Sequence, residues 1–399
     1  MFLPTSLTTT EQADLQRLID DGVEEGPHID FKRDLPTSWT DAMKQEFLAD
    51  VTAFANAGGG DLIFGLAEDN EARASALAPQ SLDYPDGEAL RLQEFLTSLV
   101  EPKMPGVQIQ PVRLNVNGQA GFAIVARVPA SWVGPHRLKM KSCQHFYVRE
   151  GRRKRQLDIQ EVRGLFLRSD GQAQRVRDFR TERLGKILIR ETPYQLVDGA
   201  VLVLHVIPVQ AAFGALAVDP TVYSGYRRPI PVLGATGSGS AECKVNLDGV
   251  VGARPVQAAG THGYTVLFRN GFIETTYALS SDGGAKTPTL PGGTFESQIA
   301  QFLAAAWGEM DLWGATSREV LVMVSILGAD KVRLGIHLAY HQPEIGYFDR
   351  RVVVIPDVEL PGNEAPFEQL RPLFDVVWQS AGFDRSPNYD AAGKWAPAT

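Results

Sequence analysis

Residues 45–66, QEFLADVTAFANAGGGDLIFGL, decide how the first part of this chain folds. Met43, Phe47, Val51 and Phe54 recur near every four residues, the spacing of a single helix face, which predicts an amphipathic helix over positions 41–56. Gly58, Gly59 and Gly60 end that helix, and positions 61–66 form a short apolar run of the kind that becomes a buried strand. The order matters for chemistry. A phosphate-binding loop runs from a strand into a helix, so that amide N–H groups at the helix N-terminus meet the anion. Here the glycines follow a helix C-terminus, whose outward carbonyls disfavour phosphate. They are expected to let helix and strand approach closely, with Asn56 capping the turn. No Gly-x-x-x-x-Gly-Lys-Ser/Thr occurs anywhere, and GATGSGSAE at 234–242 lacks the lysine.

Upstream, EEGPHIDFKRD at 24–34 places Glu25 and Asp30 five apart, with Phe31 and Lys32 following. Glu68 lies three residues past Gly65, where the strand should end. Carboxylates gathered at strand ends suit Mg²⁺ or Mn²⁺, hard ions that prefer carboxylate oxygen and water. Such an ion can polarise a phosphoryl oxygen and position a hydroxide for phosphodiester hydrolysis. Lys32 has two readings: a contact to phosphate or to the departing oxyanion, or a salt bridge to one of the acids. His28, between Glu25 and Asp30, is read as a turn histidine, with a place near the metal or the scissile phosphate as the alternative.

The run AFANAGGGDLIFGL at 53–66 and the upstream E-x-x-x-x-D-F-K at 25–32 resemble the AlbA-like domain of the Schlafen family. The likeness covers about positions 10–160. It implies an α/β domain and, since some Schlafen proteins are metal-dependent endoribonucleases that cut tRNA and rRNA, an activity of that type. By position, the family's acids fall on Glu25, Asp30 and Glu68, which the resemblance makes metal ligands and catalytic residues, with Lys32 beside them. Asp30 replaces the family's Glu, and Ala67-Glu68 replaces its Asp-Asp pair; each keeps a carboxylate in place. Schlafen nuclease cores are horseshoes of two related lobes, and this chain shows the motif once. That implies a homodimer, or a monomer whose missing wall is supplied by residues 195–399.

The chain has 399 residues, 44% hydrophobic and 22% charged, which fits about two globular domains. No apolar run is long enough to span a membrane, and MFLPTSLTTTEQ lacks the basic-then-apolar pattern of a secretory signal. Cys143 and Cys243 are too few for a disulfide framework and are expected to be buried thiols in a reducing cytoplasm. A net charge of −8 argues against indiscriminate nucleic-acid binding. Positions 127–155 are the exception, with nine Lys or Arg against Glu150 alone, and with Phe146 and Tyr147 interleaved. Lys139, Lys141, Arg149, Arg152, Arg153, Lys154 and Arg155 are the candidate contacts to RNA phosphates, with the aromatics stacking on unpaired bases. The alternative is a solvated strand and turn whose Phe and Tyr belong to the core.

A helix is expected after Thr10, through EQADLQRLIDDG to Gly22, and another at 88–100. Strands follow at 107–114, 120–128 and 145–149, then helices at 158–167 and 171–190. The fold class is therefore mixed α/β, with domains at 1–168 and 195–399 joined by a helical linker at 169–194. In the second part, AVLVLHVIPV, REVLVMVSIL and VRLGIHLAY read as strands. Helices are expected after Thr294 as cap, with Phe295, Ile299, Phe302, Leu303 and Ala306 inward, and in LRPLFDVVWQSAGF near the end. His337 and His341 lack the setting of a zinc protease motif and are read as strand residues.

Three functions compete on this reading. The first is a metal-dependent endoribonuclease acting on tRNA-like RNA, an anti-phage effector whose C-terminal domain senses a trigger. The second is a non-catalytic nucleic-acid-binding regulator, and the third an ATP-binding protein. Retention of acids beside a phosphate site favours the first.

Overall fold

The computed structural model describes residues 3–4, 7–104, 106–131, 133–214, 216–223, 229–234, 243–254, 258–279, 287–315, 317–336, 344–362 and 366–397. They divide into two compact units: Met1–Arg175 with Ala315–Ser317, and Val176–Gly314 with Arg318–Thr399.

In the first unit, α1 (Gln12–Asp20) leads into β1 (Ile29–Lys32), and α2 (Asp41–Ala57) connects β1 to its parallel neighbour β2 (Gly59–Phe64). Thr40 caps α2, its hydroxyl accepting from the Met43 amide at 3.3 Å. The expected break in the strand falls at Gly65: β2 stops, the chain turns with φ 91°, and β3 (Leu66–Glu68) pairs with β4 (Ala74–Leu77). After α3 (Pro85–Leu99) and the short β5 (Val100–Glu101), β6 (Gln108–Val116) and β7 (Gln119–Pro129) form a hairpin. Its turn is Asn117-Gly118, both at positive φ, the pair that a two-residue hairpin turn favours. The main sheet has the order β1-β2-β7-β6.

Period-two alternation sorts the sheet's side chains between two cores. Leu62, Phe64, Ile124, Ala126 and Val128 pack with Phe47, Val51 and Phe54 of α2. Ile29, Phe31, Ile63, Val112 and Val125 pack with Leu15 and Leu18 of α1 on the opposite face. Both faces are covered, which is why positions 61–66 read as one continuous apolar run. The same alternation turns Asp30 and Lys32 away from α1, to the side where α2 lies.

The glycines act as expected. A Cβ on Gly59 (φ 89°) would stand 2.7 Å from the Val128 carbonyl oxygen, and one on Gly60 would stand 2.4 Å from the Phe54 ring. Asn56, expected to cap the turn, instead reaches away from it. Its amide nitrogen donates to the carbonyls of His136 and Tyr147, and its Oδ1 accepts from the His136 amide, so it ties α2 to the later loops.

Beyond β8 (Arg137–Leu138), which pairs with β5, lies the hairpin of β9 (Tyr147–Glu150) and β10 (Arg153–Gln156), turning at Gly151 with φ 60°. The two helices expected at 158–167 and 171–190 are one, α4 (Ile159–Leu188). Gly164 and Gly171 sit inside it with nothing near where a Cβ would go, and a helix tolerates isolated glycines at about 1 kcal/mol each. The boundary between the two units falls inside this helix.

In the second unit, β11 (Ala200–Pro208) is followed by a short α5 (Val209–Ala212), β12 (Cys243–Val245), β13 (Gly249–Ala253), β14 (Tyr264–Phe268) and β15 (Ile273–Leu279). β16 (Thr289–Pro291) leads into α6 (Gly292–Leu312) and β17 (Val320–Leu327). Then come β18 (Arg333–Ile336), β19 (Glu344–Tyr347), β20 (Val352–Val354), β21 (Val358–Leu360) and α7 (Pro366–Gln379). The large sheet runs β12-β13-β14-β15-β11-β17-β20, with β21 also on β17, and its neighbours are antiparallel. A small sheet holds β16-β18-β19.

α6 starts two residues before Thr294, which lies inside the helix with Pro291 as the cap. Phe295, Ile299, Phe302, Leu303 and Ala306 are buried as the helical spacing predicts. A buried polar cluster joins four of these elements: Glu274 of β15 accepts from Arg183 of α4 and from the Tyr264 hydroxyl of β14, and lies 3.1 Å from Nε2 of His205 in β11. Arg183 and the other donors outweigh the effect of burial and hold the Glu274 carboxyl down to about 2. Cys143 is buried and Cys243 only half-buried. His337, His341 and most of GATGSGSAE lie outside the described residues. Among the described residues, no helix is long and apolar enough to cross a membrane.

Candidate functional site

Glu25 sits in the tight turn before β1, its Oε1 accepting from the Phe31 amide at 2.7 Å. Glu68 is exposed at the end of β3. Asp30, in the middle of β1, is buried. Burial, the Asp30 charge and the Glu68 charge together push the Glu25 carboxyl up to about 7, although the Phe31 amide and Lys32 pull the other way. Glu25 therefore feels the charge of both other acids named from the sequence.

They also have company that the sequence did not announce. Asp30 Oδ1 lies 2.8 Å from an Arg149 guanidinium nitrogen and Oδ2 lies 2.7 Å from Lys32 Nζ; no hydrogen bond of good geometry reaches Oδ2. Arg149, named as an RNA contact, has a side chain only 1% exposed. Its guanidinium also donates to the carbonyls of Gly26 and Ile29, and it stacks 4.7 Å over the Phe54 ring. Asp50, in the centre of α2, is buried. Lys154 of β10 lies 2.8 Å from it and bonds Glu46 at 2.6 Å. Burial raises the Asp50 carboxyl, with Lys154 opposing. Burial lowers Lys32, but Asp30 and Asp50 outweigh it, so the ammonium sits above its ordinary range. The centre is a lattice of alternating charge, with Asp30, Asp50 and Glu25 against Lys32, Arg149 and Lys154.

Asp50 is the member that sequence reasoning missed, and Glu46 is a further partner of Lys154 outside the centre. The signal was an acid at position 50 inside FLADVTAF, a helix face otherwise bound for the core. An ionised carboxyl is not buried there unless a cation comes to meet it.

The rest of the basic stretch divides into paired and unpaired members. Arg127 is internal, forked onto Asp61 at 2.8 and 3.0 Å. Arg152 bonds Glu24, and Arg155 bonds Glu150 and Glu161. Lys139, Lys141 and Arg153 are exposed, and among the described residues they have no ion-pair partner. Phe146 meets Phe166 edge-on at 6.3 Å, and the half-buried Tyr147 packs against the α2 core. The aromatics serve packing in this arrangement. His28 is exposed, its Nδ1 2.9 Å from the Gly59 carbonyl oxygen, as a turn histidine would be.

A divalent ion is matched by the donor chemistry and not by the present spacing. Glu25, Asp30 and Glu68 offer hard oxygen, and Asp30 Oδ2 faces a cation rather than a hydrogen-bond donor of good geometry. Yet among the described residues no three His, Cys, Asp or Glu side chains are grouped as metal ligands.

Residues 25–158 match the family model Schlafen, AlbA_2. No curated protein matches the sequence. Among solved structures, the N-terminal domain of a RecG-related protein from Nitrosomonas europaea is 21% identical, with a TM-score of 0.26, over 34% of this chain and 87% of that one. The DIP2311 protein from Corynebacterium diphtheriae is 19% identical, with a TM-score of 0.24, over 37% of this chain and 26% of that one, so the chain spans about a quarter of it. The match covers about a third of the chain and takes in β1, α2, the glycine turn and β2, so an AlbA-like domain is present in the N-terminal unit.

Proposed function

We propose that the N-terminal unit is an endoribonuclease module that cuts tRNA-like RNA with Mg²⁺ or Mn²⁺. The Schlafen AlbA_2 domain supports a nucleic-acid-related role. The finer reading is carried by one observation: burial, with the charges of Asp30 and Glu68 from two separate segments added to it, holds Glu25 up at about 7. Like charges are not gathered in a fold without a use or a counter-charge, and strongly shifted carboxyls concentrate at reaction centres. On this reading Glu25, Asp30 and Glu68 hold the ion once Lys32, whose side chain is 36% exposed, swings off Asp30. Bound there, the ion would polarise the scissile phosphoryl group. Arg149 stays, holding Asp30 in place. Lys32, once released, is free to contact a phosphate, and Lys139, Lys141 and Arg153 grip the RNA backbone. A role in anti-phage defence, with the C-terminal unit sensing a trigger, is the setting this proposal envisages.

A second reading has its own observation. Asp30 is already neutralised by two cations, and no ready-made metal group exists among the described residues, which favours a regulator that binds nucleic acid without cutting. ATP binding is disfavoured, because the glycines are spent on helix-to-strand contact. Purified protein incubated with total tRNA, with and without Mn²⁺, separates the first two. Metal-dependent fragments that vanish in Glu25→Ala, Asp30→Ala and Glu68→Ala, with RNA binding kept, are expected. Full cleavage in all three variants, or binding without cleavage at any Mn²⁺ concentration, defeats the nuclease reading.

A further inference from the structure

The second unit contains a cavity of about 420 Å³ between the end of α4, the start of β11 and the turn after β17. Its size falls within the range of small-molecule sites, roughly 300–1,000 Å³. The floor is aliphatic: Val197, Val201 and Leu327 are all buried members of one apolar cluster. The rim is cationic: Arg190, Lys331 and Arg351 line the same cavity and are exposed. Arg190 is paired with Asp198. Among the described residues, Lys331 and Arg351 have no ion-pair partner.

Arg190 carries a further mark. It has φ 63° two residues past the end of α4, where the Glu191 amide bonds back to the Lys186 carbonyl and the Arg190 amide to the Ile187 carbonyl. That closing turn is ordinarily made by glycine, and a side chain there costs about 1 kcal/mol or more. An arginine held in that conformation, with its charge on the rim of a cavity, points from an observed backbone cost to a use. The helix end itself is unfavourable to anions, but these bonds already occupy the Lys186 and Ile187 carbonyls, and with Arg190 balanced by Asp198, Lys331 and Arg351 set the sign of the rim.

We infer that this cavity binds a small phosphorylated molecule of nucleoside-monophosphate size, its phosphate on Lys331, Arg351 and Arg190 and its body on the aliphatic floor. A concave, partly open cavity of this volume suits a small molecule better than a protein surface. Two unpaired cations beside a third suit the double charge of a phosphate better than a single carboxylate. The inference stands apart from the reading of the N-terminal unit.

Calorimetry on the full chain at fixed salt tests it, with AMP, ribose 5-phosphate, inorganic phosphate and adenosine as probes. AMP is expected to bind at least about tenfold more tightly than adenosine, a difference of about 1.4 kcal/mol. The double variant Lys331→Glu, Arg351→Glu should lose at least that factor. Both side chains are exposed, and the Lys331→Gln, Arg351→Gln pair serves if the charge reversal unfolds the protein. Failure of every probe to bind overturns the inference, as does equal affinity for AMP and adenosine. Full AMP affinity in the folded double variant, which would put the phosphate elsewhere, also overturns it.

Discussion

A single carboxyl shows what burial beside other acids costs in stability. Glu25 has an ordinary value of 4.5 and is pushed up to about 7 in the fold, by burial first and by Asp30 and Glu68 after it. An acid raised on folding favours the native state when protonated, so its ionisation weakens the fold as pH climbs from about 4.5 through about 7. Glu25→Gln keeps the acceptor for the Phe31 amide and removes the charge. With metal chelated, it is expected to stabilise the protein by about 1 kcal/mol at pH 8, a figure reduced for solvent screening, and by nothing at pH 4.5. Thermal melts of both proteins at the two pH values check this, and an equal gain at both would remove the repulsion argument. Arg149 is the opposite case. Arg149→Ala leaves Asp30 buried without its fixed partner and should cost about 3–5 kcal/mol in urea unfolding. Arg149→Lys should recover little, since an ammonium cannot span Asp30, Gly26 and Ile29 at once.

At the scale of elements, the helix-to-strand turn and the basic hairpin each separate packing from binding. Gly59→Ala forces a side chain into φ 89° and against the Val128 carbonyl, and should cost about 2 kcal/mol or more. Gly118→Ala, with open space around it and only its positive φ to oppose, should cost about 1–2 kcal/mol. Chemical denaturation that ranks the two the other way would mean the close approach matters less than the backbone angle. In the basic stretch, Lys139, Lys141 and Arg153 are the cations with no ion-pair partner among the described residues. Changing all three to Glu should leave the melting temperature alone and weaken RNA binding. The salt slope on single-stranded RNA should flatten by about 0.7 for each phosphate no longer neutralised. Lys154→Ala should do the reverse, because its ammonium neutralises the buried Asp50. Filter binding across a salt series, paired with melts, resolves the two classes.

For the whole molecule, the proposed nuclease has one copy of the AlbA_2 domain to grip a folded RNA. We expect a homodimer, the simplest symmetric way to present a basic surface on two sides. Light scattering at micromolar concentration should give twice the mass of one chain. The mass of a single chain with cleavage intact would assign the second wall to the rest of the chain instead.

Local pattern made much of this protein legible. The spacing of Phe47, Val51 and Phe54 announced α2, three glycines announced the turn, and the apolar runs at 107–114 and 120–128 announced β6 and β7. Such features depend on backbone geometry over a few residues, so they survive translation into one dimension. The charges did not. Positions 127–155 read as a cationic surface, yet Arg127, Arg149 and Lys154 turn inward to meet Asp61, Asp30 and Asp50. Whether an arginine faces solvent or a buried carboxylate depends on which distant segment packing brings beside it, and the run of letters around it is the same either way. The same holds for the cavity of the second unit, where the end of one helix, one strand and one turn become neighbours only after the sheet has formed. Short-range spacing decided the elements, and long-range packing decided which charges are left to meet a ligand.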